Sequence, residues 1–581
     1  MTQEHGGAII AGVLARHGVR HLFTLCGGHI SPILTGADAR GIKVVDVRDE
    51  GNAVFAADAV ARMTGIVGVA AVTAGPGVTN TVTALKNAQM AQTPLLLLGG
   101  ATATLLKGRG SLQDIDQLSL MRPLTKWATT VRAVPALGAT IERAIHVATS
   151  GVPGPVFVEV PVDLLYPEAI VRQWYEKEAG LGKAKGLTAR AIELYIRGHL
   201  YRQFRGPVLP DVELPSVKLR TLRSPTDGVA DATRALRSAA KPMVVVGSQA
   251  VVGVKDPERI ARALAQLAVP VFLGGMARGL LGRRSELQFR HARGQALKEA
   301  DVVIVCGFPF DFRLGYGRGI NRSARLIAAN LSVAEMRKNR RPDVAVEMHA
   351  GDFLCALANQ LGAAGRWDGW FETLRGRERA RDVEIATRAA PQGALIDPLH
   401  FFLRLEEAMA PDAALVVDGG DFVATASYIV RPRAPLAWLD PGVFGTLGVG
   451  GGYALGAALV RPGKETWLLW GDGSSAYSLA EFDTYVRHGV APIAVIGNDG
   501  SWAQIAREQV EVLGTALGTE LRKSDYHRVA EGYGGVGLLL TDPTKVDATL
   551  QEAKQIAASG RPVCINVHLR ATDFRKGSIS M

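Results

Sequence analysis

Gly471-Asp472-Gly473-Ser474, running on through Glu481-Phe482-Asp483 and Pro492-Ile493-Ala494-Val495-Ile496 to Gly497-Asn498-Asp499-Gly500-Ser501, decides how this chain folds. Trp467 to Trp470 reads as a buried strand, the glycines after it as a tight turn, Leu479 to His488 as a helix and Ala491 to Ile496 as the next strand. This is a βαβ unit with one carboxylate, Asp472, on its first turn and a second, Asp499, at the end of the following strand. Two hard oxygen ligands at adjacent strand ends, beside a glycine turn facing a helix N-terminus, suit Mg²⁺ gripping a diphosphate.

Toward the N-terminus the pattern alternates helix and strand. His21 to Leu25, Ile42 to Val47, Val67 to Val72, Pro94 to Leu98 and Pro155 to Val160 are short strand-like runs, the mark of a parallel, doubly wound sheet. Functional loops then belong at the carboxyl ends of the strands. Cys26-Gly27-Gly28-His29 follows the first strand, Arg48-Asp49-Glu50 the second, and Thr73-Ala74-Gly75-Pro76-Gly77-Val78-Thr79-Asn80 the third. Glu50 opens the apolar helix Ala53 to Ala61; taken alone it is an acid favoured by the helix dipole. Ser111 to Gln117, including Gln113, forms a polar loop.

A linker at 171–222 carries a basic, partly amphipathic helix, Thr188 to Phe204, with Ile192, Tyr195, Ile196 and Leu200 as its stripe; it reads as packed on a neighbouring domain, with a membrane surface as the alternative. A second α/β domain spans 223–365, with strands at Pro242 to Gln249, Val269 to Gly274, Val302 to Cys306 and Leu326 to Ala329. A charged connector, 366–396, leads to a third domain, 397–581. It opens with Leu415-Val416-Val417-Asp418-Gly419-Gly420-Asp421-Phe422, a strand entering a glycine turn, and continues with Gly445-Thr446-Leu447-Gly448 before a Gly/Ala-rich helix.

A length of 581 residues suits about three domains, and a 48% apolar fraction with 66 glycines suits a well-buried α/β protein. Cys26, Cys306, Cys355 and Cys564 lack metal-ligand spacing and indicate a reduced compartment. The start, Met1 to Gly6, lacks a basic-then-apolar signal and no apolar run has the length of a bilayer span, so a cytoplasmic enzyme is expected. The net charge of +11 occurs without a Lys/Arg block interleaved with aromatics, which argues against nucleic acid and for a phosphorylated small molecule.

With its full spacing to Asn498-Asp499, the Gly471-Asp472-Gly473 turn resembles the motif of thiamine diphosphate (ThDP) enzymes. Nearly the whole chain resembles the ThDP-dependent acetolactate synthase superfamily, and within it the acetolactate synthase-like proteins that act as 2-hydroxyacyl-CoA lyases; the GGHISPIL, VTAGPGVTNTVTALKNAQMAQ, GGMARGLLGR, VDGGDF and EFDTYVRHG segments and the TDFRKGSI tail carry the match.

The resemblance implies three doubly wound domains, with residues 1–170 binding the pyrimidine and 397–581 the diphosphate. Asp472 and Asp499 then ligate Mg²⁺ with the carbonyl of Ser501, although the family usually has Asn where Asp499 stands. Gly471, Gly473, Ser474, Gly419, Gly420, Asp421 and Phe422 are expected on the diphosphate side; Thr73, Gly77 and Asn80 on the pyrimidine side. The carbonyl of Gly445 receives the cofactor's amino group, Leu447 bends the cofactor, and Trp502 walls the substrate side. Glu50 hydrogen-bonds the pyrimidine and favours the imino form that takes the thiazolium proton. His29 and Gln113, which with Glu50 also resemble the trio of benzaldehyde lyase, handle the substrate hydroxyl and carbonyl.

A central domain holding FAD, ADP or part of coenzyme A, or nothing, belongs to the same implication, with Gly274 to Gly279 and Phe310 to Arg313 as the segments that meet a phosphate. A tail whose Arg575 and Lys576 meet coenzyme A phosphates belongs to it too, as does assembly into a homodimer or homotetramer acting on a CoA thioester. Three alternatives stay open: acetolactate synthase proper; a benzaldehyde lyase-like enzyme, whose second pocket histidine falls at Pro441 here; and a non-catalytic nucleotide-binding scaffold.

Overall fold

Gly68-Val69-Ala70-Ala71-Val72 and Ile493-Ala494-Val495-Ile496 are apolar at nearly every position, as a strand covered on both faces must be, and both are buried throughout. The computed structural model describes residues 5–178, 186–205, 225–362, 367–390 and 393–576. Over these, the strands form three sheets of six, every pairing parallel, wrapped by helices. The expected α/β architecture of three doubly wound sheets is the one observed. The chain divides into two compact units, residues 1–61 with 66–217, and residues 62–65 with 218–581.

The first unit holds one sheet, ordered Lys43–Asp46, His21–Leu25, Gly68–Val72, Leu95–Ala101, Pro155–Pro161, Trp127–Thr130. Its order reverses between His21–Leu25 and Gly68–Val72, so the loops after those strands diverge and leave a crevice at their carboxyl ends. The second unit's C-terminal sheet repeats the pattern: Trp438–Leu439, Ala414–Val417, Thr466–Gly471, Ile493–Asn498, Val563–His568, Val536–Leu540. Here the reversal falls between Ala414–Val417 and Thr466–Gly471. Its core packs Phe401, Phe402, Phe422, Trp438 and Trp467 around the strands.

Six strands go beyond the sequence reading: Trp127–Thr130, Gln288–Phe289, Val344–Glu347, Trp438–Leu439, Val536–Leu540 and Val563–His568. All but the last lie at a sheet edge, where one side has no neighbour and the run is short or half exposed. Val563–His568 is central, but Asn566 interrupts its apolar run.

The linker helix runs Leu187–Arg205. Of its expected stripe only Ile196 and Leu200 are buried, whereas Ile192 and Tyr195 are 41% and 55% exposed, because the packed face follows Ile196, Leu200 and Gln203. Residues 179–185 and 206–222 of the linker, 223–224 of the second domain and 577–581 of the tail lie outside the described residues.

The helix Glu50–Thr64 crosses the sheet at a place only glycine allows. A Cβ on Gly68 would stand 2.1 Å from the carbonyl oxygen of Ala57, and backbone cannot yield as a side chain does. Gly68→Ala is therefore expected to destabilise the protein by about 1–3 kcal/mol and to displace the helix that starts at Glu50. A thermal melt checks it; an unchanged melting temperature would mean that the helix tolerates the shift.

Candidate active site

In the first unit, Glu50 begins its helix with a side chain that is 6% exposed. The amide of Asn80 donates to its Oε2 at 3.0 Å, and Oε1 faces Gly77, whose Cβ, were one present, would lie 3.4 Å away. A larger residue at 77 would intrude on the carboxylate. Thr73, at the end of its strand, pairs its hydroxyl with Nδ1 of His29 at 3.1 Å. Burial lowers the pKa of His29, so its imidazole is neutral at neutral pH.

Gln113 takes φ 65°, left-handed backbone that a side chain rarely adopts, and its main chain lies against Gly75, itself at φ 61°. The structure thus brings His29, Glu50, Thr73, Gly77 and Asn80 together at the strand ends and sets the Gln113 loop beside them. Gln117 holds that arrangement in place. Its Oε1 accepts from the Gly75 N–H at 2.9 Å, and its Nε2 donates to the carbonyl of Gly100 and to Glu159, which is fully buried. Gln117 gave no signal in the sequence beyond membership of a polar loop.

In the second unit, Thr466–Gly471 delivers Asp472 into a short helical turn. The carboxylate is 3% exposed and accepts from the N–H groups of Gly473 and Gly500, both at 2.8 Å. Ser474 closes the turn, its hydroxyl bonding the N–H and carbonyl of Gly471. Asp499 follows the next strand and accepts from the Ser501 N–H at 3.1 Å. The ring of Trp502 fills the space over Gly473, 2.4 Å from where a Cβ would sit.

Burial raises the pKa of Asp472, and burial together with the Asp472 charge pushes Asp499 up to about 7. Two buried like charges favour a divalent cation between them. Among the described residues no group of three or more His, Cys, Asp and Glu is placed for a metal. A cation here would therefore complete its shell with backbone carbonyl and phosphate oxygens, the manner of Mg²⁺.

The Gly419-Gly420 turn, Gly420 at φ 108°, leads into the helix Asp421–Ile429, so the N–H groups of that helix's first turn could cradle a diphosphate. A Cβ on Gly419 would meet Cδ2 of Leu447 at 2.3 Å, which brings the Leu447 side chain directly over the turn. Gly445 adopts φ 65° at the entry to that segment. These positions fit ThDP and Mg²⁺.

Phe422 turns its ring into the core, its centroid 4.5 Å from that of Phe402. The carboxylate of Asp421 is engaged by Arg507 at 2.7 Å and by Arg575 at 3.3 Å, so the tail arginine is spent inside the protein. Lys576 lines a cavity of about 1110 Å³ that also touches Asp499 and Ser501. In the central domain, Arg313 is bound to Asp311, and Arg278 donates to the Ser427 carbonyl while lying 4.8 Å over Trp438.

Asp418 and Asn566 escaped the sequence reading. Asp418 accepts from the N–H groups of Gly419, Gly448 and Gly450 at 2.7, 3.0 and 2.7 Å, binding the diphosphate turn to the Leu447 segment. Asn566 accepts from the Asn498 amide at 3.1 Å, anchoring the residue before Asp499. An acid in a glycine turn and a lone amide in an apolar strand were the available signals.

Three family models match the chain: thiamine pyrophosphate enzyme, N-terminal TPP binding domain over residues 4–120, central domain over 229–357, and C-terminal TPP binding domain over 418–567. The 2-hydroxyacyl-CoA lyase 2 of Danio rerio is 47% identical over all of this chain and 94% of its own length. That of Homo sapiens is 48% identical over all of this chain and 92% of its own length. A probable acetolactate synthase of Mycobacterium bovis is 35% identical over 97% of this chain and 95% of its own length. With both halves of a ThDP site built as described, the chain belongs to the thiamine pyrophosphate enzymes and, among them, groups with the 2-hydroxyacyl-CoA lyases rather than with the acetolactate synthases.

Proposed function

We propose that this protein is a ThDP- and Mg²⁺-dependent lyase that splits a 2-hydroxyacyl-CoA into an aldehyde or ketone and formyl-CoA, or condenses them in reverse. The observation that carries the reading is the whole-chain likeness to relatives named 2-hydroxyacyl-CoA lyase 2, well above that to acetolactate synthase. When bound, ThDP supplies a nucleophilic carbon and an electron sink for the carbon–carbon bond beside a carbonyl.

The protein's own groups bind, orient and move protons. With Oε2 held by Asn80, Glu50 has Oε1 left to share a proton with a pyrimidine nitrogen. Thr73, Gly77 and Asn80 line that side. His29, neutral and fixed through Nδ1, has Nε2 left for the proton of the substrate hydroxyl, and Gln113 orients the carbonyl. Asp472, Asp499 and the carbonyl of Ser501 hold Mg²⁺. The backbone from Gly419 to Phe422, with Gly471, Gly473 and Ser474, meets the diphosphate. The carbonyl of Gly445 takes the amino group, Leu447 shapes the cofactor and Trp502 walls the substrate side.

The cavity of about 1110 Å³ beside Asp499 has the volume for a coenzyme A thioester. On this reading residues 1–170 are the pyrimidine domain, 223–365 the central domain and 397–581 the diphosphate domain, in a homodimer or homotetramer. A cytoplasmic location rests on four free thiols. A nucleotide in the central domain, whether FAD, ADP or coenzyme A, has no support from Arg278 or Arg313 and is left out.

The deciding assay offers a 2-hydroxyacyl-CoA, pyruvate and benzoin in parallel to protein supplied with ThDP and Mg²⁺. Formyl-CoA from the thioester alone is the expected outcome; acetolactate from pyruvate without formyl-CoA would move the protein to the synthase branch. Glu50→Gln is expected to lower kcat by about 100-fold or more at saturating ThDP, and turnover within a few-fold of the parent would remove Glu50 from proton transfer. Asp499→Asn relieves the buried like-charge pair. The Mg²⁺-free protein should then melt a few degrees higher while the Mg²⁺ needed for half-maximal activity rises severalfold. A lower melting temperature for the Mg²⁺-free variant would show that the two charges do not strain the fold.

A further inference from the structure

The helix Leu187–Arg205 has two apolar faces, of which the protein covers one. Ile196 and Leu200, one turn apart, are 5% and 1% exposed and pack with Val171 and Tyr175. On the opposite side Leu187, Leu194 and Tyr201 recur at every seventh residue and are 86%, 73% and 63% exposed. At 100° per residue, Arg190 and Arg197 border this outer stripe on one flank, and Tyr195 with Arg202 on the other. Arg205 ends the stripe.

The helix carries four arginines against one acid, Glu193, which pairs with Arg197. Arg190 and Arg202 pair with no carboxylate among the described residues. The preceding helix, Glu168–Glu178, adds Ile170 and Trp174, each 38% exposed.

We propose that this face is a docking surface for an anionic lipid bilayer, on which the helix lies in the plane of the headgroups. Leu187, Leu194, Tyr195 and Tyr201 enter the headgroup layer, and Arg190 and Arg202 meet lipid phosphates. Charge selects this occupant. A second copy of the chain would bring arginine flank against arginine flank, where like charges repel. A helix face meant only for water has no use for exposed leucines and tyrosines at regular spacing. The net charge of +11 attracts the whole molecule to the same surface.

The test is co-sedimentation of the full-length protein, loaded with ThDP and Mg²⁺, with phosphatidylcholine vesicles and with vesicles containing phosphatidylglycerol, at roughly 0.1 M salt. Binding is expected to the anionic vesicles only and to be lost at high salt. Each arginine near the surface contributes about fivefold to partitioning, so Arg190→Glu with Arg202→Glu should reduce the partition coefficient by about 25-fold or more. Leu194→Ser with Tyr201→Ser should reduce it severalfold, and both double variants should keep the parent's turnover. Failure to bind anionic vesicles would overturn the proposal. So would binding that neither double variant weakens, or a smaller assembly in both double variants on gel filtration, which would assign the face to a second copy.

Discussion

The diphosphate half of the site depends on one carboxylate. Asp418 lies at the end of its strand, 3% exposed, and gathers three glycine N–H groups from two segments far apart in sequence. Burial pushes its pKa up to about 6, and the three N–H bonds oppose that shift by favouring the charged form. Only residues without Cβ bring backbone so close: a Cβ on Gly450 would stand 2.9 Å from Oδ2 of Asp418 and 2.1 Å from the indole nitrogen of Trp470. The glycines here are the condition for the carboxylate to join the turn that would hold phosphate to the segment that presents Leu447.

The same topology provides a crevice twice. In both the N-terminal and the C-terminal sheet the strand order reverses once among the first strands, and the loops that matter leave the strands flanking that point. Between the two half-sites the chemistry differs. The N-terminal crevice holds a carboxylate fixed by an amide, Glu50 with Asn80, suited to proton sharing. The C-terminal crevice holds two buried acids, Asp472 and Asp499, the charge of the first raising the pKa of the second, suited to a metal. One fold serves both because function is written in the loops.

How far the sequence could be read follows from the same distinction. A central strand such as Val302–Cys306 was legible to the residue, since burial on both faces demands an unbroken apolar run. The edge strands apart from Lys43–Asp46 were not, because they are short or partly exposed and their pattern fades into that of loops. Asp472 and Asp499 were legible as strand-end carboxylates from the spacing of their motif, and Glu50 as the opening of its helix, its expected role coming from the resemblance alone. Gln117, Asp418 and Asn566 were hidden because they act through backbone partners that only the fold brings near: Gly75, Gly448 and the Ser524 carbonyl. The linker helix was legible as a helix, yet its buried face was misjudged, since two apolar faces leave the periodicity ambiguous.

The central domain acts from behind on the helix that follows the Gly419-Gly420 turn. The helix Asp421–Ile429 begins at the Gly419-Gly420 turn and ends against Arg278 and Arg290. Arg290 donates to the carbonyls of Ser427, Ile429 and Val430, and Arg278 to that of Ser427, which places two cations at the helix C-terminus. Burial lowers the pKa of Arg290 to about 10, which leaves it charged at neutral pH. Positive charge at that end reinforces the alignment of peptide dipoles whose other end faces the diphosphate turn. Arg278, in a segment expected to meet a second nucleotide, instead braces with Arg290 the helix that begins at the Gly419-Gly420 turn. The carbonyls left over at that helix end supply acceptors for both buried guanidiniums.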